Sequence, residues 1–143
     1  MKQKRFFLAT ILLGILLIGC KKYEEGPAFS LRTKKARISG SWVLEKYLVD
    51  GVDETASYLG GYSPDLLEIE KSGDFKYTDY YFNGSIIDYG VWEFLPGKEE
   101  VKFKMAPSIG SEFTYKILKL KNNEFWYRWN VNGSNRDYHF KAK

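Results

Sequence analysis

The sequence predicts an all-β fold: an eight-stranded antiparallel up-and-down barrel, preceded by a short N-terminal helix. Three observations carry this. From residue 40 onward, apolar and aromatic residues alternate with polar ones at a period of two. The runs are separated by short turn signals, among them Asp50-Gly51, Asn83-Gly84, Pro96-Gly97 and Asn132-Gly133, and strands joined by such hairpins run antiparallel. No helical crossover pattern lies between them, and closure into a barrel removes the exposed edges that an open sheet would leave. A sandwich of the same strands is the alternative closure.

The first 19 residues stand apart. Lys2, Lys4 and Arg5 precede an apolar run over residues 6–18, broken only by Thr10 and Gly14, and Gly19 then precedes Cys20. This is the three-part layout of a secretory signal. The apolar run is 13 residues long, short of the roughly 20 that a spanning helix needs. Residues 20–37 read as a polar tether followed by a short basic helix over 30–37, with Ser30 as N-cap and Gly40 near its end. Its cations either lie against anionic headgroups or form a solvated face that closes one end of the barrel. Residues 38–143 form the barrel domain.

The strands follow in order. The first spans 41–49 and ends at Asp50-Gly51; a longer loop, 52–65, contains Gly60-Gly61 and Pro64. Strands at 66–71 and 75–82 flank Ser72-Gly73. A strand at 85–95 follows Asn83-Gly84, and one at 101–105 follows Pro96-Gly97. After a loop at 106–111 come 112–121, the Asn122-Asn123 turn, 124–131, the Asn132-Gly133 turn and 136–142. Val101, Phe103 and Met105 share one face, as do Phe125, Tyr127, Trp129 and Val131, and as do Tyr138, Phe140 and Ala142. Two places break the alternation. The adjacent apolar pair Ile117-Leu118 implies a bulge or bend, and Gly90 inside a strand marks a tight barrel corner.

Composition narrows the function classes. The formal charge is +4, but three of the cations belong to the leader, so the remainder is close to neutral and lacks the basic stripe of a nucleic-acid binder. Cys20 is the only cysteine, so no internal disulfide can form and stability must come from a packed core. The one histidine, His139, shares a strand face with Asp137 and Lys141 and reads as exposed. There is no His/Cys cluster for a metal and no nucleophile–base set, so the expectation is a non-enzyme with no metal and no cofactor. Asp79 and Asp88 flank the Asn83-Gly84 hairpin and could lie across from one another, with exposed hairpin polarity as the plainer reading. Asn83-Gly84-Ser85 and Asn132-Gly133-Ser134 match a glycosylation acceptor pattern, which turn chemistry explains better.

Aromatic residues are the most unusual feature. The chain carries 11 tyrosines, 10 phenylalanines and 4 tryptophans. Tyr77, Trp92, Phe103, Phe113, Tyr115, Tyr127 and Trp129 are the candidates to line a barrel interior, with tyrosine hydroxyls orienting a ligand and Arg128 meeting an acidic one. An eight-stranded barrel is either filled by such side chains or just wide enough for one small ligand.

Several segments resemble known families. Leu17-Ile18-Gly19-Cys20 resembles the bacterial lipobox, which implies cleavage before Cys20 and a diacylglyceryl group on its sulfur. Gly40-Ser41-Trp42 resembles the Gly-x-Trp signature of lipocalins. Tyr89-Gly90-Val91-Trp92, the segment 118–125 and the segment 20–27 look like parts of lipocalin-like lipoproteins of Gram-negative bacteria. The resemblance implies a barrel whose closed end is plugged by Trp42, with a late arginine packed over it, for which Arg128 and Arg136 are the candidates. It implies a monomer held to the membrane by lipid on Cys20, binding a small hydrophobic or amphipathic molecule without changing it. The alternative is a structural or interaction lipoprotein with a solid barrel, docking an envelope protein or a glycan through exposed aromatics such as Trp126 with Tyr80 or Tyr81. Lys21 stands where enteric inner-membrane lipoproteins carry aspartate, so the outer membrane is expected. The basic-then-acidic run from Lys21 to Glu25 resembles surface-export tethers, which leaves both faces of that membrane open.

Overall fold

The computed structural model describes residues 31–106 and 110–143. The leader, Cys20 and the expected cap Ser30 lie outside them. The described elements are α1 (Lys34–Ile38), β1 (Gly40–Val49), β2 (Val52–Asp53), α2 (Thr55–Leu59), β3 (Leu66–Ile69), β4 (Asp74–Tyr81), β5 (Gly84–Phe94), β6 (Glu100–Met105), β7 (Glu112–Leu120), β8 (Glu124–Val131) and β9 (Ser134–Ala142). Strands β1 and β3 to β9 pair in chain order, and β9 returns to β1, with Trp42 opposite Ala142 and Val49 opposite Arg136. Every pairing is antiparallel. The sheet is therefore a closed eight-stranded barrel and not a sandwich, and β2 is a two-residue addition on β1.

Two expectations about connections are corrected. The stretch 52–65 is not a plain loop: Asp50 and Gly51 adopt φ of 49° and 85°, the mirror-image turn that suits a tight hairpin, and this folds β2 back onto β1. α2 then follows, anchored by the Thr55 hydroxyl, which donates to Asp53 Oδ1 at 2.6 Å. The N-terminal helix is also shorter than predicted. It starts after Thr33, whose Oγ1 accepts from the Ala36 N–H at 3.1 Å, a standard N-cap bond.

Two bulges set which side chains face inward. In β7 the register slips between Ile117 and Lys119, as the Ile117-Leu118 pair implies. The extra residue lets Ile117 and Leu120, three apart, both enter the core. A second slip in β1, between Leu44 and Lys46, does the same for Leu44 and Tyr47. The alternation of β1 did not announce it. Gly90 lies where β5 meets β6, and a Cβ there would overlap the Lys104 carbonyl oxygen, so the close backbone approach requires glycine.

The closed end is solid. Ile38, Trp42, Val101, Leu120, Phe125 and Phe140 are all at most 1 % exposed. Trp42 packs against Phe125 with ring centroids 5.8 Å apart, and its Nε1–H donates to the Ile38 carbonyl at 2.7 Å, fastening α1 to the barrel floor. The buried arginine at this end comes from α1: Arg37 Nη1 donates to the Leu120 carbonyl at 3.0 Å. The late arginines go elsewhere. Arg128 forms a two-pronged pair with Asp137 at 2.6 and 2.8 Å, and Arg136 lies over Trp129.

Candidate functional site

Above the floor, the barrel interior retains a cavity of about 200 Å³. Its wall is built by alternation. Phe75 and Tyr77 come from β4, Phe103 and Met105 from β6, Phe113 and Tyr115 from β7, and Tyr127 and Trp129 from β8. Leu67, Tyr138 and Tyr58 of α2 complete the apolar part, and Asp88 of β5 adds a carboxylate. The aromatic rings brace one another: Tyr115 and Tyr127 lie 4.6 Å apart, Phe113 and Trp129 5.7 Å, and Tyr127 and Tyr138 5.0 Å. Such contacts add to plain area burial and hold the wall in one shape.

The polar part rests on Asp65, at the mouth of β3 and 1 % exposed. Its Oδ2 accepts from the Tyr58 hydroxyl at 2.9 Å and from the Tyr77 hydroxyl in a shorter bond. Burial pushes the Asp65 carboxyl upward; the two tyrosine donors pull it back, and nearby Asp79 adds to the rise. Burial likewise raises the hydroxyls of Tyr58, Tyr77, Tyr115, Tyr127 and Tyr138. All five stay neutral near pH 7, as hydrogen-bonding groups and not as phenolates.

Five of the seven ligand-binding candidates, Tyr77, Phe103, Tyr115, Tyr127 and Trp129, converge on this cavity, and Phe113 joins them. Trp92 and Arg128 do not border it. Trp92 faces inward but sits nearer the floor, donating its Nε1–H to the Glu70 carbonyl at 2.8 Å and packing on Phe94. Arg128 falls one residue out of phase between Tyr127 and Trp129, so it points to the outer face and pairs there with Asp137. Asp79 and Asp88 are not directly opposed. The register sets Asp88 against Tyr77 and Asp79 against Ile86, because the β4–β5 turn falls at Phe82-Asn83 and Gly84 is already paired.

Sequence reasoning missed Tyr58 and Asp65. Tyr58 lies in a segment without strand periodicity. Asp65 follows Pro64 at the end of what reads as a loop, and its only signal is a carboxylate set immediately before an apolar strand. His139 is also less exposed than expected. It is stacked on the outer-face Trp126 at 3.9 Å, with Lys119 Nζ 3.4 Å from the same ring. Burial against the indole lowers its pKa. Trp126 is therefore half-covered and not a free docking aromatic. Among the described residues, no group of three His, Cys, Asp or Glu side chains is arranged to hold a metal ion.

No protein-family model matches the chain, and no curated protein matches it significantly.

Proposed function

We infer that the chain is a lipocalin-like lipoprotein of the cell envelope, anchored through Cys20, whose barrel binds a small hydrophobic or amphipathic molecule without transforming it. The observation that carries the binding reading is the aromatic cavity of about 200 Å³ held above a solid floor. It has the character of a ligand site, mostly apolar with a few placed polar groups. It falls below the 300–1,000 Å³ usual for drug-sized ligands, so the fitting molecule is compact, about one ring in size, and not a long acyl chain. Transfer of its apolar surface from water supplies the binding energy, at roughly 25 cal/mol per Å².

The anchoring half rests on the leader and on Leu17-Ile18-Gly19-Cys20. Among the described residues no helix is long and apolar enough to cross a membrane. In this reading the lipid on Cys20 does the holding, at the outer membrane.

Native mass spectrometry of the protein taken from its own envelope tests both halves. A co-purifying small molecule and a chain that begins at acylated Cys20 are the expected results. An intact Met1 or an unmodified Cys20 sulfur refutes the anchor. For the cavity, a Tyr115→Ala variant should lower affinity for the retained molecule at least tenfold, whereas Arg128→Ala should leave it unchanged.

A second reading, an interaction lipoprotein, draws on a stripe along the outside of β5. Ile87, Tyr89 and Val91 are each at least 50 % exposed there, an unusual run of apolar surface for a monomer. It predicts a barrel that returns no small molecule and a protein partner lost on Tyr89→Glu.

A further inference from the structure

The polar groups of the cavity have a polarity of their own. Tyr58 and Tyr77 both spend their hydroxyl protons on Asp65. The two oxygens lie 3.5 Å apart, and with their protons on Asp65 they offer lone pairs rather than donors. Asp88, opposite Tyr77 across the β4–β5 ladder, brings a second acceptor to the wall. The remaining lining is largely π surface from Tyr115, Tyr127 and Trp129 with their aromatic neighbours, and no lysine, arginine or histidine borders the space among the described residues. Acceptors, π faces and a carboxylate attract a ligand that donates hydrogen bonds and carries positive charge. One cation already uses this wall: Arg136, paired with Trp129 across the β8–β9 ladder, lies with its guanidinium 5.7 Å from the indole ring.

We propose that the cavity takes a small organic cation, a protonated primary amine on a compact apolar body, with its charged head between Asp88 and the tyrosine rings. This rests on the reading of the barrel as a binder and names the chemical class it selects. An anionic ligand would meet the Asp88 carboxylate in the lining, where the nearest cation is Arg136, already held against Trp129. A neutral alcohol of the same shape would gain the apolar contacts and donate one hydrogen bond, but it lacks the charge that Asp88 and the π faces attract.

The test uses three molecules of one shape and three charges: phenethylamine, 2-phenylethanol and phenylacetate, titrated into the full chain by calorimetry near pH 7. Phenethylamine should bind roughly 10- to 30-fold more tightly than 2-phenylethanol, and phenylacetate most weakly. In an Asp88→Asn variant that keeps the circular dichroism of the parent, the ratio of amine to alcohol affinity should shrink toward parity. If the alcohol or the acid binds as tightly as the amine in the unmodified chain, the charge preference is refuted and the barrel remains a binder of neutral or acidic molecules. If none of the three binds, the binding reading fails along with it. The ratio measured in the unmodified chain decides the matter even if the variant does not fold.

Discussion

Replacing Trp42 by phenylalanine should cost about 2–4 kcal/mol of stability, and the sum can be worked from the floor of the barrel. The indole is 1 % exposed and its Nε1–H reaches the Ile38 carbonyl at 2.7 Å. Phenylalanine keeps the ring contact with Phe125 but has no donor. The Ile38 carbonyl, in a residue with no exposed surface, then loses this partner at a cost of about 1–3 kcal/mol. The smaller ring leaves a void of about 40 Å³, and at about 24 cal/mol per Å³ this adds about 1 kcal/mol. Urea unfolding followed by far-ultraviolet circular dichroism measures the total, and an unchanged slope against urea would show that the unfolded state is not involved. Hydrogen exchange should also report α1 opening more readily, since the lost bond is the one that ties it down. A loss below about 1 kcal/mol at unchanged slope would refute the reasoning, because it would mean the indole neither satisfies that carbonyl nor fills the floor.

Other expectations follow from neighbouring features. Gly90→Ala should destabilise by about 1–3 kcal/mol, because its methyl would meet the Lys104 carbonyl oxygen; an unchanged Tm would disprove the close approach of β5 and β6. Asp65→Ala should cost about 1–3 kcal/mol by orphaning the Tyr58 and Tyr77 hydroxyls, while Asp65→Asn, which keeps an acceptor, should cost less; equal losses would show that these bonds do not matter. His139 gives a pH signature. Burial against Trp126 lowers its folded pKa, helped by Lys119 and Lys46 and opposed by Asp137 and Glu45. The folded state therefore takes up this proton less readily than the unfolded chain, so the contribution is fully present above the unfolded value near 6.5 and is lost as pH falls through the folded value. Relative to a His139→Gln variant, the parent should lose stability as pH drops from about 7 to 5, and parallel stability curves for the two would refute the assignment.

The sequence by itself determined the eight barrel strands to within a few residues, their antiparallel pairing, the bulge at Ile117-Leu118 and the inward set of Tyr77, Phe103, Phe113, Tyr115, Tyr127 and Trp129. It could do so because a pleated strand has a strict period of two and because turns demand particular residues, as at Asn132-Gly133, where both φ values are positive. It left undecided how the strands close and how far along each strand a side chain lies. Trp92 and Tyr77 share an inward direction, yet Tyr77 borders the cavity and Trp92, tied to the Glu70 carbonyl, does not, since the place a side chain takes along the barrel is fixed by stagger between strands and not by alternation.

The β4–β5 register shows the limit most clearly. Setting the turn at Asn83-Gly84 would have brought Asp79 opposite Asp88. The turn falls one residue earlier, which shifts the pairing by two and sets Tyr77 there instead. A two-residue shift keeps every side chain on its own face, so hydrophobic patterning is blind to it. What fixes the offset is tertiary: Gly90 must meet β6, and the Trp92 amide must reach the Gly73 carbonyl, at 2.7 Å. Tyr58 and Asp65 entered the site for the same kind of reason, through a folded connection that packs a tyrosine from one segment against a carboxylate from another. Local pattern specifies direction, but only the closed barrel specifies which inward groups meet.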